Sequence, residues 1–583
     1  MKKGFSLIDV VISIGIIVLL FGGIYMIYFS ILDVVSNLEI RTAATSVLDQ
    51  HIETIRNMPY ENVGTVGGVP AGTIPQVQQV VFGDFDFSVR TTIRNIDDPF
   101  DGTLGGSPND TAPADYKLVE VEVSCSSCVK FVPLVFTTTV SPKSLESASN
   151  NGSLFLNVFD AVGAPVSGAL MHVVNASVTP SIDLFDGTNA SGVLQLVGVP
   201  TSSQGYQITA SKTGYSEEKT YPVGAPGNPN PTKPHATVAA QTVTQLSFAI
   251  DKVSTFNVYT SGPRCEPVPD VNFSISGSKL IGSNPDVIKF STTSATDVVG
   301  LKTFNSLEWD TYSLTLNSSS LDILGTLPLV PVVIAPSSTN DFRFITQPAS
   351  SRSFLATVKD AQSGAGVSDA SVNLAKTGFS STLVTGRSFL AQTDWSSNQY
   401  DSQSGGIDTT NPAGTLKLLM DASSTYNTST ENWLISNTLD FGGATTTFYS
   451  LNWSPISEPS QTTLKVQLAS NNDNASWSFV GPDGSASSYY TNPSSTVWAG
   501  HNGSRYLRYK VYLSTSDPNA TPEMRDIAFE FRGVCVPPAQ VLFLNLDLGT
   551  YDLTVDAPGY LQATSSVSIG GSWQQQEILM NKL

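Results

Sequence analysis

The apolar pattern changes period twice along the chain. Residues 5–32 form an apolar run interrupted by one charge, Asp9. A helix of that length extends on the order of 40 Å at about 1.5 Å per residue, more than the hydrocarbon core of a bilayer, so the run predicts a membrane-spanning helix. Lys2 and Lys3 precede it and place the N-terminus on the cytoplasmic side, with the bulk of the chain across the membrane. Over residues 33–58 the pattern turns amphipathic: Val35, Leu38, Ile40, Ala44, Val47, Leu48, Ile52 and Ile55 share a helical stripe, and Pro59 ends it. The period then drops to two. Alternating runs at 77–82, 86–96, 116–123 and 130–140 predict antiparallel strands that cover the stripe.

Beyond a polar linker at 141–151, short alternating strands recur in three related units, 152–250, 254–348 and a third that opens at 353 and breaks off near 381. Its second half resumes at 534–583, so residues 382–533 read as a domain inserted between strands of one sandwich. Turns around Ala164, Pro165 and Val166 and around Gly366 and Val367 follow the first strands, and Asp310-Thr311-Tyr312 and Gly549-Thr550-Tyr551 open later ones. Each of those tyrosines can plug the base of its sandwich. KTGY at 212–215 and APGY at 557–560 make matching turns.

Composition narrows the function classes. The 583 residues suggest about four domains, and only 14% are charged, as in exported β-sandwich proteins. A net charge of −19 argues against nucleic acid as a ligand, because phosphate binding needs clustered Lys and Arg. The four histidines, His51, His172, His235 and His501, are scattered over different segments, and no nucleophile-elbow, phosphate-loop or zinc-protease motif occurs. We expect no enzyme. Cys125 and Cys128 have redox spacing but lie in a strand region, which favours a local disulfide; Cys265 and Cys535 are candidates to pair with each other or to remain apart.

Three loops and one strand hold the candidate ligand chemistry. Asp97, Asp98, Asp101, Asp110 and Asp115 fall in one turn-rich segment, an oxygen-rich set suited to calcium, although the spacing is not that of an EF-hand and a solvated loop accounts for it equally. No other cofactor is expected. The inserted segment is dense in aromatics, and alternation in RYLRYKVYLST places Tyr506, Arg508, Lys510 and Tyr512 on one face and Leu507, Tyr509, Val511 and Leu513 on the other. Most of its aromatics fit a core; a saccharide rim would draw on Asn471, Asp473, Asp483, Tyr506 and Tyr512.

The leader Lys2-Lys3-Gly4-Phe5, with Asp9 five places into the mature chain, resembles that of type IV prepilins and pseudopilins. The resemblance implies that prepilin peptidase cuts after Gly4 on the cytoplasmic side, that Phe5 becomes a methylated N-terminus, and that Asp9 pairs with a neighbouring subunit's terminal amine during assembly. The family usually has glutamate there, one methylene longer. The resemblance also implies passage from the bacterial inner membrane to a filament or cell surface, with other pilin subunits as partners. Some pseudopilins carry calcium in a comparable loop.

The repeated units resemble carboxypeptidase regulatory-like or Cna B-type modules, prealbumin-like sandwiches common in surface stalks. Some such modules carry Lys–Asn or Lys–Asp isopeptide bonds; Lys359 lacks a matching glutamate and the unit containing Glu308 lacks a first-strand lysine, so none is expected. The insertion resembles jelly-roll, discoidin-like or lectin-like domains, for which glycan or cell-surface ligands are implied.

The expected fold is therefore mostly β and multidomain: leader 1–4, helix 5–58, head sheet 59–140, three prealbumin-like sandwiches, and a jelly roll at 382–533 that splits the third. More than 400 residues follow the head, a bulk that would crowd a lattice in every subunit and so favours a minor pilin that displays modules for adhesion. The alternatives are a secretion pseudopilin and a single-span surface protein that never polymerises.

Overall fold

The computed structural model describes residues 7–128, 131–143, 150–396 and 399–583. Gly4 and Phe5 lie outside the described residues, as does the side chain of Asp9. The chain is mostly β with one long N-terminal helix, and it divides into two compact units, residues 1–253 with 280–289, and residues 254–279 with 290–583.

In the first unit, helix α1 (Leu7–Arg56) is followed by a meander of β1 (Val77–Phe82), β2 (Phe85–Ile96), β3 (Tyr116–Ser124) and β4 (Leu134–Val140), antiparallel in the order β1-β2-β3-β4. The C-terminal half of α1 buries Ile40, Ala44, Val47, Leu48, Ile52 and Ile55 against Phe87, Val89, Ile93, Val119, Val121 and Val123. Each fully buried aliphatic side chain contributes roughly 1.5–3 kcal/mol, so this stripe fixes the helix to the sheet. Val35 and Leu38, expected on the same stripe, are exposed. The buried stretch begins only at Ile40. Beyond the helix, Lys117 donates to the carbonyls of Tyr60 and Val63 at 2.7 and 2.6 Å and holds the turn; burial pushes its ammonium down to about 8.

The first sandwich packs a three-stranded sheet, Val243–Ala249, Gly152–Phe159 and Val193–Val199, on a second sheet built around Ser202–Ser211 and Leu170–Asn175. Its seam with the head is polar: Arg94 donates to both carboxylate oxygens of Asp186 at 2.7 and 2.5 Å, and Asn95 donates to the carbonyl of Val197 at 2.9 Å.

The second unit repeats that plan twice. In all three sandwiches the first strand pairs parallel with the last: Gly152–Phe159 with Val243–Ala249, Ser254–Ser261 with Thr339–Pro348, and Ser353–Asp360 with Trp573–Met580. Each also buries a tyrosine at its base. Tyr206, Tyr312 and Tyr551 donate to the carbonyls of Pro200, Glu308 and Asp547 at 2.5, 2.8 and 3.0 Å. The third sandwich is discontinuous: Ser371–Lys376 pairs with Phe379–Val384 on one side and with Gly549–Asp556, beyond the insertion, on the other.

The insertion packs one sheet of Ser388–Gln392, Asp526–Arg532, Thr447–Ser454 and Ser495–Thr496 against another of Tyr400–Gln403, Asn432–Ser436, Tyr506–Thr515 and Leu439–Asp440, with Thr462–Asn471 also beside Tyr506–Thr515. Its core holds Trp395, Trp453, Tyr490, Tyr509, Phe441, Phe448, Phe529 and Phe531. Tyr509 is fully buried; its hydroxyl donates to Gln392 Oε1 and accepts from Trp395 Nε1, both at 2.6 Å.

Candidate functional site

The strand Tyr506–Thr515 alternates half-buried and buried residues along its whole length, so Tyr506, Arg508, Lys510 and Tyr512 share the outer face of the inserted domain. Register extends that face across the sheet. Lys465 lies opposite Tyr512, Gln467 opposite Lys510 and Asn471 opposite Tyr506 on one side, with Trp433 opposite Tyr512 on the other.

On this face, aromatic rings seat cations. The Arg508 guanidinium stands 4.7 Å from the Trp477 ring, Lys510 Nζ 4.5 Å from Trp433 and 4.9 Å from Tyr512, and Lys465 Nζ 4.0 Å from Tyr489. Such contacts are worth about 0.5–2 kcal/mol each, increasing with desolvation. Lys465 also pairs with Glu431 at 2.7 Å, Arg508 with Asp401 at 3.0 Å, and Arg505 with Asp440 at 2.9 Å.

The residues expected to form a saccharide rim divide into two groups. Asp473 accepts from the backbone N–H groups of Ala475 and Ser476, and Asp483 from that of Ser485 and from the Ser488 hydroxyl. These hydrogen bonds hold both carboxyls below the usual carboxylate range and engage them in their own turns. Asn471 likewise accepts from Asn474 N at 2.9 Å and donates to the carbonyl of Ser476 at 2.5 Å. Tyr506 and Tyr512 are half-buried on the outer sheet face; Tyr512 donates to Gln467 Oε1 at 2.8 Å and meets Tyr489 edge to face, and Gln467 is itself buried, its Nε2 donating to the carbonyls of Ala486 and Ser488 at 2.9 Å. Trp433 and Lys465 complete the face from strands distant in sequence, and Glu431 from the position just before the strand Asn432–Ser436. The aromatic density of the insertion marked Trp433 in the sequence, and nothing marked Glu431.

No family model matches the sequence, and no curated relative matches it. Among solved structures the chain is similar to the Bacillus anthracis TIE protein, at 10% identity over 87% of this chain and 72% of that one, with a TM-score of 0.16. It is also similar to the streptococcal ancillary pilin, at 10% identity over 39% and 75% with a TM-score of 0.17, and to the minor pilin of Streptococcus agalactiae, at 14% identity over 34% and 96% with a TM-score of 0.17. At scores this low, function has to be argued from this chain's own residues.

In the acidic loop of the head, Asp97 accepts from Leu104 N at 2.9 Å, Asp110 from Ala112 N at 2.8 Å, Asp98 from Phe100 N at 3.1 Å, and Asp115 from Asp98 N. The other oxygens of Asp97, Asp110 and Asp115 are buried without a hydrogen-bond partner among the described residues. Among those residues no three His, Cys, Asp or Glu side chains are arranged to hold a metal ion. Burial raises the Asp97 carboxyl above its ordinary value, the Leu104 N–H partly offsets this, and Asp110, Asp115 and Asp101 add to it.

A raised folded-state value means that the folded form binds the proton more readily, so stability falls as pH rises through that window and the penalty is complete above it. Asp97→Asn is therefore expected to raise the melting temperature at neutral pH, with the gain vanishing in acid. A lower melting temperature at neutral pH would show that the carboxylate is needed there, and a calcium-dependent rise confined to the parent chain would trace that need to a cation.

The cysteines form two disulfides. Cys125 and Cys128 are bonded just past the end of β3 with Cα atoms 5.4 Å apart, and Cys265 and Cys535 are bonded at 5.3 Å. Lys359, the first-strand lysine of the third sandwich, makes a 2.5 Å ion pair with Glu577 on the parallel last strand.

Proposed function

We propose that the chain is a minor type IV pilin-like subunit that enters a filament through its N-terminal helix and displays β-sandwich modules for adhesion. The observation that carries this reading is the division of α1. Its C-terminal half is buried on a four-stranded meander, whereas Val11, Ile12, Ile14, Ile16, Ile17, Val18, Leu19 and Leu20 are exposed. From Ile14 the helix is long and apolar enough to cross a membrane. A stripe of that length needs lipid, or the same stripe of other subunits, to cover it. Gly4 and Phe5 supply the cleavage and methylation site for prepilin peptidase, other pilin subunits are the assembly partners, and the aromatic–cationic face of the insertion is the contact for a cell-surface saccharide. Mass spectrometry of the N-terminal peptide from cells is the direct test. The expected species begins at N-methyl-Phe5, and an N-terminus still carrying Met1 in surface fractions would overturn the reading.

A further inference from the structure

We infer that Lys510 is the anion-recognising centre of the inserted domain's outer sheet face and that its ligand is an acidic saccharide, a pyranose bearing a carboxylate. This deepens the adhesion reading and rests on it. The chain has 49 acidic and 30 basic residues, so carboxylates are plentiful. Three cations on or beside this face each have one: Lys465 has Glu431, Arg508 has Asp401, and Arg505 has Asp440. Lys510 is the exception. Among the described residues it has no carboxylate within ion-pair distance, and Glu431, the acid whose field it feels, is already held by Lys465 at 2.7 Å.

Lys510 is nonetheless half-buried in the middle of the strand between the rings of Trp433 and Tyr512. Burial lowers its pKa, and Glu431 only partly restores it. A partly desolvated charge without a counter-charge is unfavourable, and rings compensate for it less fully than a carboxylate does. An anion arriving from solvent removes that deficit.

The surroundings select the class of anion. Trp433 and Tyr512 flank the ammonium, so a ligand with a flat apolar C–H face beside its charge gains from both, whereas a bare inorganic anion gains only from the charge. Asp401, Glu431 and Asp440 are each already paired with Arg508, Lys465 or Arg505, which leaves Lys510 as one uncompensated positive charge, a match for a single carboxylate and not for a dense polyanion such as nucleic acid. One carboxylate on an otherwise hydroxylated ring meets both conditions.

The test presents the full chain in detergent micelles to an array of uronic and sialic saccharides beside the same sugars as neutral methyl esters. The expected result is binding to the acids, loss of at least about tenfold on esterification or in Lys510→Gln, and retention in Lys510→Arg. Unchanged near-ultraviolet circular dichroism shows that the Lys510→Gln fold is intact. Equal binding of acids and esters overturns the charge assignment and leaves the adhesion reading standing. Binding of neither overturns both. Acid binding that survives Lys510→Gln removes Lys510 from the site.

Discussion

Asp9→Ala is expected to leave the chain in the membrane and remove it from the filament. The substitution deletes the only charge in the apolar run, so insertion becomes more favourable, by a few kcal/mol on insertion scales. Assembly responds in the opposite sense. Once Gly4 is removed, the amine of Phe5 must pack among the apolar helices of neighbouring subunits, and without a carboxylate there it stays charged and unpaired in a medium of low dielectric. Asp9→Glu supplies a longer acid and is expected to restore incorporation. Immunoblots of sheared-surface and membrane fractions give the measurement. Asp9→Ala chain in sheared filaments at the parent level would show that incorporation does not depend on this carboxylate, and a parent chain found only in the membrane fraction would favour a singly anchored surface protein over a pilin-like subunit.

The fold was legible where period and burial coincide. The alternation in residues 86–96 and 116–123 became β2 and β3, in which Phe87, Val89, Ile93, Val119, Val121 and Val123 point to the helix. The tyrosines of Asp310-Thr311-Tyr312 and Gly549-Thr550-Tyr551 do plug their sandwiches, and Tyr206 does the same without that motif, because what recurs is a buried ring with its hydroxyl on a carbonyl. The split third sandwich was readable because the tyrosine and turn motifs of the other units return only at Gly549-Thr550-Tyr551 and at 557–560, and in the fold Gly549–Asp556 pairs with Ser371–Lys376. The helix stripe was read too long: Val35 and Leu38 continue the apolar spacing but belong to the exposed half. Apolar spacing does not distinguish a surface covered by the chain's own sheet from one covered by lipid or other subunits.

The candidate site was less legible, for a physical reason. Composition identified the insertion as rich in aromatics, and alternation placed Tyr506, Arg508, Lys510 and Tyr512 together. It could not show that Trp395 and Tyr509 are locked together in the core while Trp433 and Trp477 act as seats for cations. Those roles depend on register between strands tens of residues apart. Loop carboxylates were the weaker choice for a rim, because a short Asp side chain in a turn first satisfies the nearby backbone N–H groups, as Asp473 and Asp483 do.

The Cys265–Cys535 disulfide carries the other large expected effect. It closes a loop of 270 residues that contains the rest of the second sandwich, the first half of the third and the whole insertion. In the chain-entropy model, Cys265→Ser with Cys535→Ser destabilises the second unit by about 5 kcal/mol. The mechanical consequence is larger. When the insertion is held at the strand Tyr506–Thr515 and tension is applied toward the N-terminus, the short covalent path runs forward to Cys535 and across to Cys265. Opening the bond lengthens that path by a net of roughly 220 residues, a contour on the order of 800 Å at about 3.5 Å per residue. Single-molecule pulling of the full chain between those points is expected to gain that length under reducing conditions and in the double serine variant. The Cys125–Cys128 bond, which spans only three residues, accounts for almost none of it. Equal full extension with and without reductant would show that the bond carries no load, and would leave the second and third sandwiches directly in the path between filament and ligand.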